Sequence, residues 1–119
     1  MTVPHRHQVE PSLDEVLTAL SDEHGREIIQ ALDRPKSART LTDELDIPQT
    51  TVYRALNTLS AASLLDEQVT IRRDGHHTTR YAVNFDAVSL SLRDDQSLEL
   101  TVEREADRLP SERVLASRR

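Results

Sequence analysis

The feature that most constrains this chain is residues 40–59, which read TLTDELDIPQTTVYRALNTL. Apolar residues recur there at the i, i+4, i+7 spacing of amphipathic helices, first as Leu41 and Leu45, then as Val52, Leu56 and Leu59. Between the two patterns, Pro48 removes a backbone donor and restricts the residue before it, which a continuous helix does not tolerate. The segment therefore predicts two short helices joined by a tight turn, with Ile47 as the apolar contact between them.

The polar face of the second helix, predicted over residues 49–62, carries side chains that donate to phosphates or base edges, and none of them is acidic. They are Gln49, Thr50, Thr51, Tyr53, Arg54 and Asn57. This is the pattern of a helix-turn-helix motif whose second helix enters the major groove. Arg54 suits guanine or phosphate, and Gln49 and Asn57 suit adenine edges. An ordinary solvated face is the alternative, but the absence of Glu and Lys in an acid-rich chain favours DNA contact.

The segments before this motif predict two further helices. Ser12 and Glu15 form a capping box for a helix over residues 13–20, and a second helix is expected over residues 22–32. Residues 33–37 are expected to be a loop, and Thr40 is expected to cap the third helix.

After the motif the apolar period changes to two, which is typical of strands. Val69 and Ile71 alternate with polar neighbours, as do Tyr81 and Val83. The intervening residues 72–79, RRDGHHTT, are expected to hold a hairpin turn centred on Asp74-Gly75. A helix-turn-helix followed by such a hairpin predicts a winged helix.

A second hairpin is predicted beyond the wing. Its apolar residues alternate with polar ones on two strands: Val88, Leu90 and Leu92, then Leu98, Leu100 and Val102. An isolated two-stranded hairpin is marginal in water, so its apolar face needs a partner, either the wing domain or a second subunit. We therefore expect a flexible arm (1–11), a winged-helix domain (12–86), this hairpin (87–104) and a short helix or disordered tail (105–119).

The charge is distributed unevenly. The net charge of −6 argues against nucleic-acid affinity over the whole surface. Residues 1–48 and 84–107 each have a balance of −5, whereas residues 49–83 have four arginines against three acids. The part predicted to contact DNA is thus the folded stretch without acidic excess. Lys36 is the sole lysine among fifteen basic residues, which suits a halophile's salt-rich cytoplasm; an acidic protein from a GC-rich genome is the alternative.

The composition also argues against catalysis. The chain has no cysteine, and Gly25 and Gly75 are its only glycines, so there is neither a thiolate site nor a glycine-rich phosphate loop. A metal site built from His5, His7, His24, His76 and His77 has no diagnostic spacing to support it. We expect no enzyme activity, no cofactor and no metal. With no long apolar run and no signal peptide, we expect a soluble cytoplasmic protein without membrane contact.

Residues 20–83 resemble the winged helix-turn-helix transcription regulators of prokaryotes, and are most similar to the ArsR-like and related archaeal groups. The resemblance lies in LSDEHGREIIQAL, in TLTDELDIPQTTVYRALNTLSAASLL and, for the wing, in TIRRDGHHTTRYAV. It implies an α+β fold and a DNA-binding repressor or activator, usually a homodimer on a pseudo-palindromic site. Pro48 departs from the serine-type cap of these regulators, and the cysteine ligands of their metal-sensing branch are missing, so metal sensing is not implied.

The resemblance further implies phosphate or minor-groove contacts on the wing. The residues at those positions are Arg72, Arg73, His76, His77 and Arg80. Surface ion pairs with Asp74 or Glu67 are the alternative for the arginines. We predict a sequence-specific regulator that binds double-stranded DNA as a homodimer; a winged-helix docking module without DNA binding is the alternative. No set of residues identifies a pocket for a small-molecule effector.

Overall fold

The computed structural model of the protein describes residues 11–104. Its elements in chain order are α1 (Leu13–Ser21), α2 (Glu23–Ala31), β1 (Lys36–Ser37), α3 (Ala38–Leu45), α4 (Gln49–Ala61), β2 (Leu65–Ile71), β3 (His77–Val83), β4 (Ala87–Leu92) and β5 (Leu98–Glu103). Apart from Pro11, the predicted N-terminal arm lies outside the described residues, as does the predicted tail. In the described part of the chain, no helix has the length and apolar character needed to cross a membrane.

The chain divides into two compact units, Met1–Val83 and Asn84–Arg119. The described part of the first unit holds the helices α1 to α4 and a three-stranded antiparallel sheet of order β1-β3-β2. The described part of the second unit holds the two-stranded sheet β4-β5. The predicted α+β architecture, a winged helix with an additional C-terminal hairpin, is confirmed.

Short polar side chains begin α1 and α2. The Glu15 N–H donates to Ser12 Oγ at 3.1 Å, and the Ser12 N–H donates to Glu15 Oε1 at 3.1 Å, which confirms the predicted capping box. At α2, Asp22 Oδ1 accepts from the His24 N–H at 3.2 Å. Each side chain satisfies a backbone donor that the first helical turn leaves without a partner.

The cap predicted for α3 is wrong. The helix begins at Ala38, and Ser37 Oγ accepts from the Thr40 N–H at 3.1 Å. Beginning the helix one turn earlier buries Ala38, which is 3% exposed, on the same side as Leu41. The apolar pattern used for the prediction started only at Leu41, so it placed the helix start too late.

The core of the first unit lies between its helices and the base of its sheet. The largest fully buried side chains come from all four helices and the segment after α4: Val16, Ile28, Leu41, Val52, Leu56, Leu59 and Leu64. Each such side chain contributes about 1.5–3 kcal/mol relative to its exposed state. Gly25 permits a close approach, because a Cβ there would lie 2.8 Å from the Ala19 carbonyl oxygen.

The strand β1 corrects the loop predicted over residues 33–37. Lys36 pairs with Tyr81 of β3, and Ser37 pairs with Arg80. A strand of two residues is too short to show a period of two. It exists because β3 offers it an edge, and that edge is formed by residues more than forty positions away in the sequence.

Lys36 ties this strand to the helices. Its side chain is only 8% exposed, and its Nζ lies 2.8 Å from Glu44 Oε1 and 3.1 Å from Asp33 Oδ1. The hydrogen bond to Glu44 is the main cause that raises the pKa of Lys36, and the Lys36 ammonium lowers the pKa of Asp33. The sole lysine of the chain is therefore a structural residue that joins β1 to α3.

The chain leaves α4 through a Schellman motif without glycine. The Leu64 N–H donates to the Leu59 carbonyl at 3.0 Å, and the Ser63 N–H donates to the Ser60 carbonyl at 2.9 Å. Ser63 adopts the left-handed conformation, with φ 61°. Leu59 and Leu64 are both fully buried, which supplies the apolar contact typical of this motif. The motif directs the chain from α4 into β2.

The second unit is built as predicted on an alternating hairpin. Its register pairs Val88 with Val102, Leu90 with Leu100 and Leu92 with Leu98. Directly opposite residues lie on one face of a sheet, so all six apolar side chains share a face. Within that face, Leu90, Leu92 and Leu98 are 51%, 62% and 53% exposed.

Candidate nucleic-acid interface

Three residues form the turn between α3 and α4. Asp46 is left-handed, with φ 56° and ψ 47°, and its N–H donates to the Thr42 carbonyl at 2.9 Å. Aspartate adopts this conformation more readily than most residues because its short polar side chain bonds locally. Ile47 is half-buried. Pro48 stands at the N-cap of α4 with φ −59° and no side-chain cap hydrogen bond, so the ring's preset angle starts the helix.

The buried side of α4 determines which side faces solvent. Val52, Ala55, Leu56 and Leu59 are buried against the rest of the first unit. At 3.6 residues per turn, the opposite side is left outward. Of the six predicted contact residues, Thr51 is half-buried. The other five are exposed on this outward side: Gln49, Thr50, Tyr53, Arg54 and Asn57.

The wing is the hairpin β2-β3, and its turn contains the predicted Asp74-Gly75, although the turn is centred one residue earlier, on Arg73 and Asp74. The Arg72 N–H donates to the His76 carbonyl at 2.7 Å, and the Gly75 N–H donates to the Arg72 carbonyl at 2.9 Å. Gly75 has φ +87°, a conformation that residues with a Cβ rarely adopt. The turn lies within the predicted segment 72–79, and β3 begins inside that segment, since His77 already pairs with Ile71.

Residues 20–68 match the family model of the helix-turn-helix domain. The match extends from the end of α1 to the middle of β2, and so contains both helices of the motif and the turn between them. It supports a helix-turn-helix regulator, a class that typically binds DNA. The chain matches no curated protein.

The exposed face of α4 in this helix-turn-helix domain is free of negative charge. No acidic residue occurs in α4. The Arg54 carbonyl accepts a hydrogen bond from Thr58 Oγ1 of the same helix at 3.0 Å. Among residues 11–104, the Arg54 guanidinium has no salt-bridge or hydrogen-bond partner. Guanidinium groups bind phosphates and guanine edges with paired hydrogen bonds. The geometry therefore leaves Arg54 able to bind an external acceptor.

All five predicted wing residues are exposed, and they fall into three positions. Arg72, Arg73 and His76 lie in the turn, His77 begins β3, and Arg80 lies further along β3. His76 differs from the others, because its Nδ1 lies 3.1 Å from Asp74 Oδ2. The His76 backbone N–H and then its ring lower the pKa of Asp74, so this carboxylate is held within the turn.

Sequence reasoning missed two exposed apolar residues on the wing. The alternation of Val69 and Ile71 predicts the ordinary apolar side of a strand, yet these side chains are 59% and 69% exposed. Leu65 lies on the same face at the base of the strand and is buried. The signal available in the sequence was strand length: β2 and β3 each extend seven residues, so their outer halves project beyond the helices.

Tyr81 lies at the buried base of the wing. Burial is the main cause that raises the pKa of the Tyr81 hydroxyl, and the Glu67 carboxylate and the Tyr53 hydroxyl raise it further. Tyr53 belongs to the outward face of α4 and is 43% exposed. Tyr81 thus belongs to the buried base of the wing, whereas Tyr53 contributes to the exposed side of α4.

Two of the three histidines in the described part of the chain have carboxylate partners. His24 Nδ1 lies 3.1 Å from Glu27 Oε1 within α2, and His76 pairs with Asp74. Among residues 11–104, no three His, Cys, Asp or Glu side chains come together as metal ligands. His5 and His7 lie outside the described residues.

Proposed function

We propose that this protein is a sequence-specific transcription regulator that binds double-stranded DNA with α4 in the major groove and the wing on the adjacent backbone. The observation that carries the proposal is the outward face of α4, which has no acid and contains an arginine without a partner in the described chain. A polar face that served only solubility would not need to exclude the carboxylates that dominate the rest of the chain. Phosphate contacts and base readout do require their exclusion.

The charge pattern supports the same assignment. Arg54, Arg72, Arg73 and Arg80 are all exposed on α4 or the wing. Because residues 1–48 and 84–107 each have an acidic excess that repels DNA, binding is expected to be oriented through this one surface. An overall acidic regulator of this kind should have weak non-specific affinity and depend more on base contacts for its specific sites.

The test is substitution of Arg54 with a matched arginine control. A duplex is first enriched from a randomised library by the wild-type protein, and the affinities of wild type, Arg54→Ala and Arg34→Ala for it are measured by fluorescence anisotropy at two salt concentrations. Arg34 is an exposed arginine in the loop before β1, paired with Asp33 at 3.8 Å. We expect Arg54→Ala to lose about 1–3 kcal/mol of binding free energy and Arg34→Ala to bind as wild type.

Two results would count against this function. Equal losses in Arg54→Ala and Arg34→Ala would show that α4 is not the recognition helix. Failure of the wild-type protein to enrich any duplex, or to bind one in a salt-dependent way, would favour a winged-helix docking module in its place.

We also propose that the protein acts as a homodimer joined through the second unit. The hairpin β4-β5 has a face of six apolar side chains, three of them more than half exposed, and a hairpin of two strands is not independently stable without a covered face. Two copies related by a two-fold axis can cover each other with the same patch. That symmetry would match a pseudo-palindromic site.

The dimer is tested with two lysine substitutions on neighbouring residues of β4. Leu90→Lys places a charge on the apolar face, whereas Ser89→Lys places it on the opposite, exposed face. Light scattering of the full chain should give the mass of a monomer for the first variant and of a dimer for the second. A dimeric Leu90→Lys, or a monomeric wild type, would reject this contact.

We further propose that the regulator is ArsR-like and archaeal, and that it works in a salt-rich cytoplasm. One lysine among fifteen basic residues and a net charge of −6 support the salt-adapted part. A salt-adapted chain should gain unfolding free energy as KCl rises from the millimolar to the molar range. A chain without this adaptation should change little once its surface charges are screened.

A further inference from the structure

The turn of the wing contains the sole Asp-Gly dipeptide of the chain, Asp74-Gly75, and the chain has no Asn-Gly. In any such dipeptide, the backbone nitrogen of the second residue can attack the side-chain carboxyl carbon of the first and close a five-membered ring. A reaction of this kind needs no enzyme, because the two reacting groups already belong to one molecule. The dipeptide is therefore a candidate for spontaneous modification of the backbone.

The structure leaves this dipeptide accessible. The side chain of Asp74 is 55% exposed. A Cβ placed on Gly75 would meet no atom within 4 Å, so nothing crowds that side of the residue. Glycine also permits the backbone rotation that brings the nitrogen toward the carboxyl carbon.

Three contacts within the turn oppose the reaction. The His76 N–H donates to Asp74 Oδ1 at 3.0 Å, and His76 Nδ1 lies 3.1 Å from Asp74 Oδ2. These two contacts lower the pKa of Asp74, the backbone N–H more than the ring, and so keep ionised a carboxyl that reacts when it is protonated. The third contact holds the attacking nitrogen, because the Gly75 N–H donates to the Arg72 carbonyl at 2.9 Å.

The second hairpin provides an internal comparison, since its turn has the same backbone hydrogen bonds. The Arg93 N–H donates to the Ser97 carbonyl at 2.8 Å, and the Gln96 N–H donates to the Arg93 carbonyl at 2.9 Å. Asp95 Oδ1 accepts from the Ser97 N–H at 3.0 Å and from Ser97 Oγ at 2.6 Å. Gln96 has φ 73°, close to the +87° of Gly75. At the attacking nitrogen, the two turns thus differ by the side chain of Gln96.

We propose that Asp74-Gly75 is a site of spontaneous isoaspartate formation and that the ring of His76 restrains the reaction. The Gly75 nitrogen forms a bond to Asp74 Cγ, and the hydroxyl of the protonated carboxyl leaves with the proton of that nitrogen as water. One water then adds to a carbonyl of the cyclic imide and breaks its bond to the nitrogen. Opening at the original backbone carbonyl gives isoaspartate, with no change in composition and no redox partner.

The product alters the turn of the wing. The main chain then passes through the Asp74 side chain and is longer by one methylene, while the former backbone carbonyl becomes a free carboxylate. The unmodified turn is closed by the Arg72 N–H on the His76 carbonyl at 2.7 Å and by the Gly75 N–H on the Arg72 carbonyl. A longer backbone between these groups cannot keep both bonds in place. The inference goes beyond the proposed function and does not depend on DNA binding.

The test follows the modification in the full chain over several weeks at neutral pH. Enzymatic methylation of isoaspartate measures its amount, and the endoprotease Asp-N locates it, because this protease cleaves before aspartate and not before isoaspartate. Wild type should accumulate isoaspartate at Asp74 and none at Asp95, with an intermediate lighter by one water. A synthetic peptide of residues 71–79 supplies the rate without the folded turn, and it should convert faster than the protein.

Substitutions at His76 isolate the effect of its ring. This side chain is 79% exposed, so the fold does not depend on it. His76→Ala should convert about two- to fivefold faster than wild type, the factor to which one surface ion pair corresponds. His76→Ser restores a side-chain donor like that of Ser97 and should return the rate to that of wild type. His77→Ala, at the exposed first residue of β3, is the matched control and should convert as wild type.

Gly75→Gln copies the second turn and should suppress the reaction, because a side chain then stands beside the attacking nitrogen. Circular dichroism establishes that each variant is folded. Asp74→Glu serves if the glutamine variant is not, since the larger ring closes far more slowly and the signal at this position should vanish.

Each contrary result identifies the part of the inference that is wrong. If the peptide converts while neither wild type nor His76→Ala does, the dipeptide is not a modification site of the folded protein. Equal rates in wild type and His76→Ala would show that the ring restrains nothing. Conversion of Gly75→Gln at the wild-type rate would show that the absence of a side chain at this position is irrelevant. All three results would leave the assignment as a regulator unaffected.

Discussion

Replacing Gly25 by alanine has two opposing effects on the free energy of unfolding. In a helix, alanine ordinarily stabilises by about 0.5–1 kcal/mol relative to glycine, because the glycine backbone loses more conformational entropy on folding. At Gly25, however, a Cβ would lie 2.8 Å from the Ala19 carbonyl oxygen, with Leu59 Cδ2 at 3.8 Å. A backbone carbonyl cannot rotate aside as a flexible side chain can, so the end of α1 and the start of α2 would have to separate.

The sizes of the two effects decide the sign. Inserting a methyl group into a close-packed site costs about 1–3 kcal/mol, which exceeds the gain in helix propensity. We therefore expect Gly25→Ala to lower the free energy of unfolding by about 1–2 kcal/mol. For a domain of this size, that corresponds to a melting temperature lower by about 5–10 °C.

Urea unfolding followed by circular dichroism measures this change, and Gly75 provides the control. A Cβ at Gly75 meets nothing within 4 Å, but φ there is +87°. Gly75→Ala should therefore lose about 1–2 kcal/mol from backbone conformation alone, and Gly75→Asn should recover most of it. No such rescue exists at Gly25. A Gly25→Ala protein as stable as wild type, or more stable, would refute the close approach of α1 and α2.

Two further predictions concern the turn and the buried lysine. Asp46→Val should destabilise by about 1–2 kcal/mol, because a β-branched residue is strained at φ 56°, whereas Asp46→Gly should be at least as stable as wild type; equal urea midpoints for Val and wild type would contradict this. For Lys36, the pKa is raised above its ordinary 10.5, mainly by Glu44, and the pKa of Asp33 is lowered below 3.8 by Lys36. The stability difference between wild type and Lys36→Met should thus be constant near neutral pH, and should shrink as pH falls through the pKa of Asp33 or rises through that of Lys36. A difference that urea titrations show to be independent of pH would be the contrary result.

The candidate site was predictable because its main features are local. The period of 3.6 in α4 places Val52, Leu56 and Leu59 on one side, so the outward position of Gln49 and Arg54 follows from spacing alone. Gly75 likewise indicated the wing turn, because its positive φ is one that residues with a Cβ rarely adopt. What these contacts do in the presence of DNA stays a prediction.

Several other features were not predictable, because the residues that create them are distant in sequence. The strand β1 exists only because β3 pairs with Lys36 and Ser37, and the burial of Lys36 depends on Glu44 of the next helix. The exposure of Ile71 depends on where the helices end relative to the sheet, which the alternation of β2 does not show.

The amino-acid sequence by itself determined the helices, the turn between α3 and α4, the two hairpins and the side of each element that is apolar. These follow from backbone preferences and side-chain periodicity within one segment. Only the tertiary structure decided which apolar sides are covered: those of α4 and the base of the wing are buried, whereas the outer wing is exposed. The physical reason is that burial is a property of two surfaces in contact, and a single segment specifies only one of them.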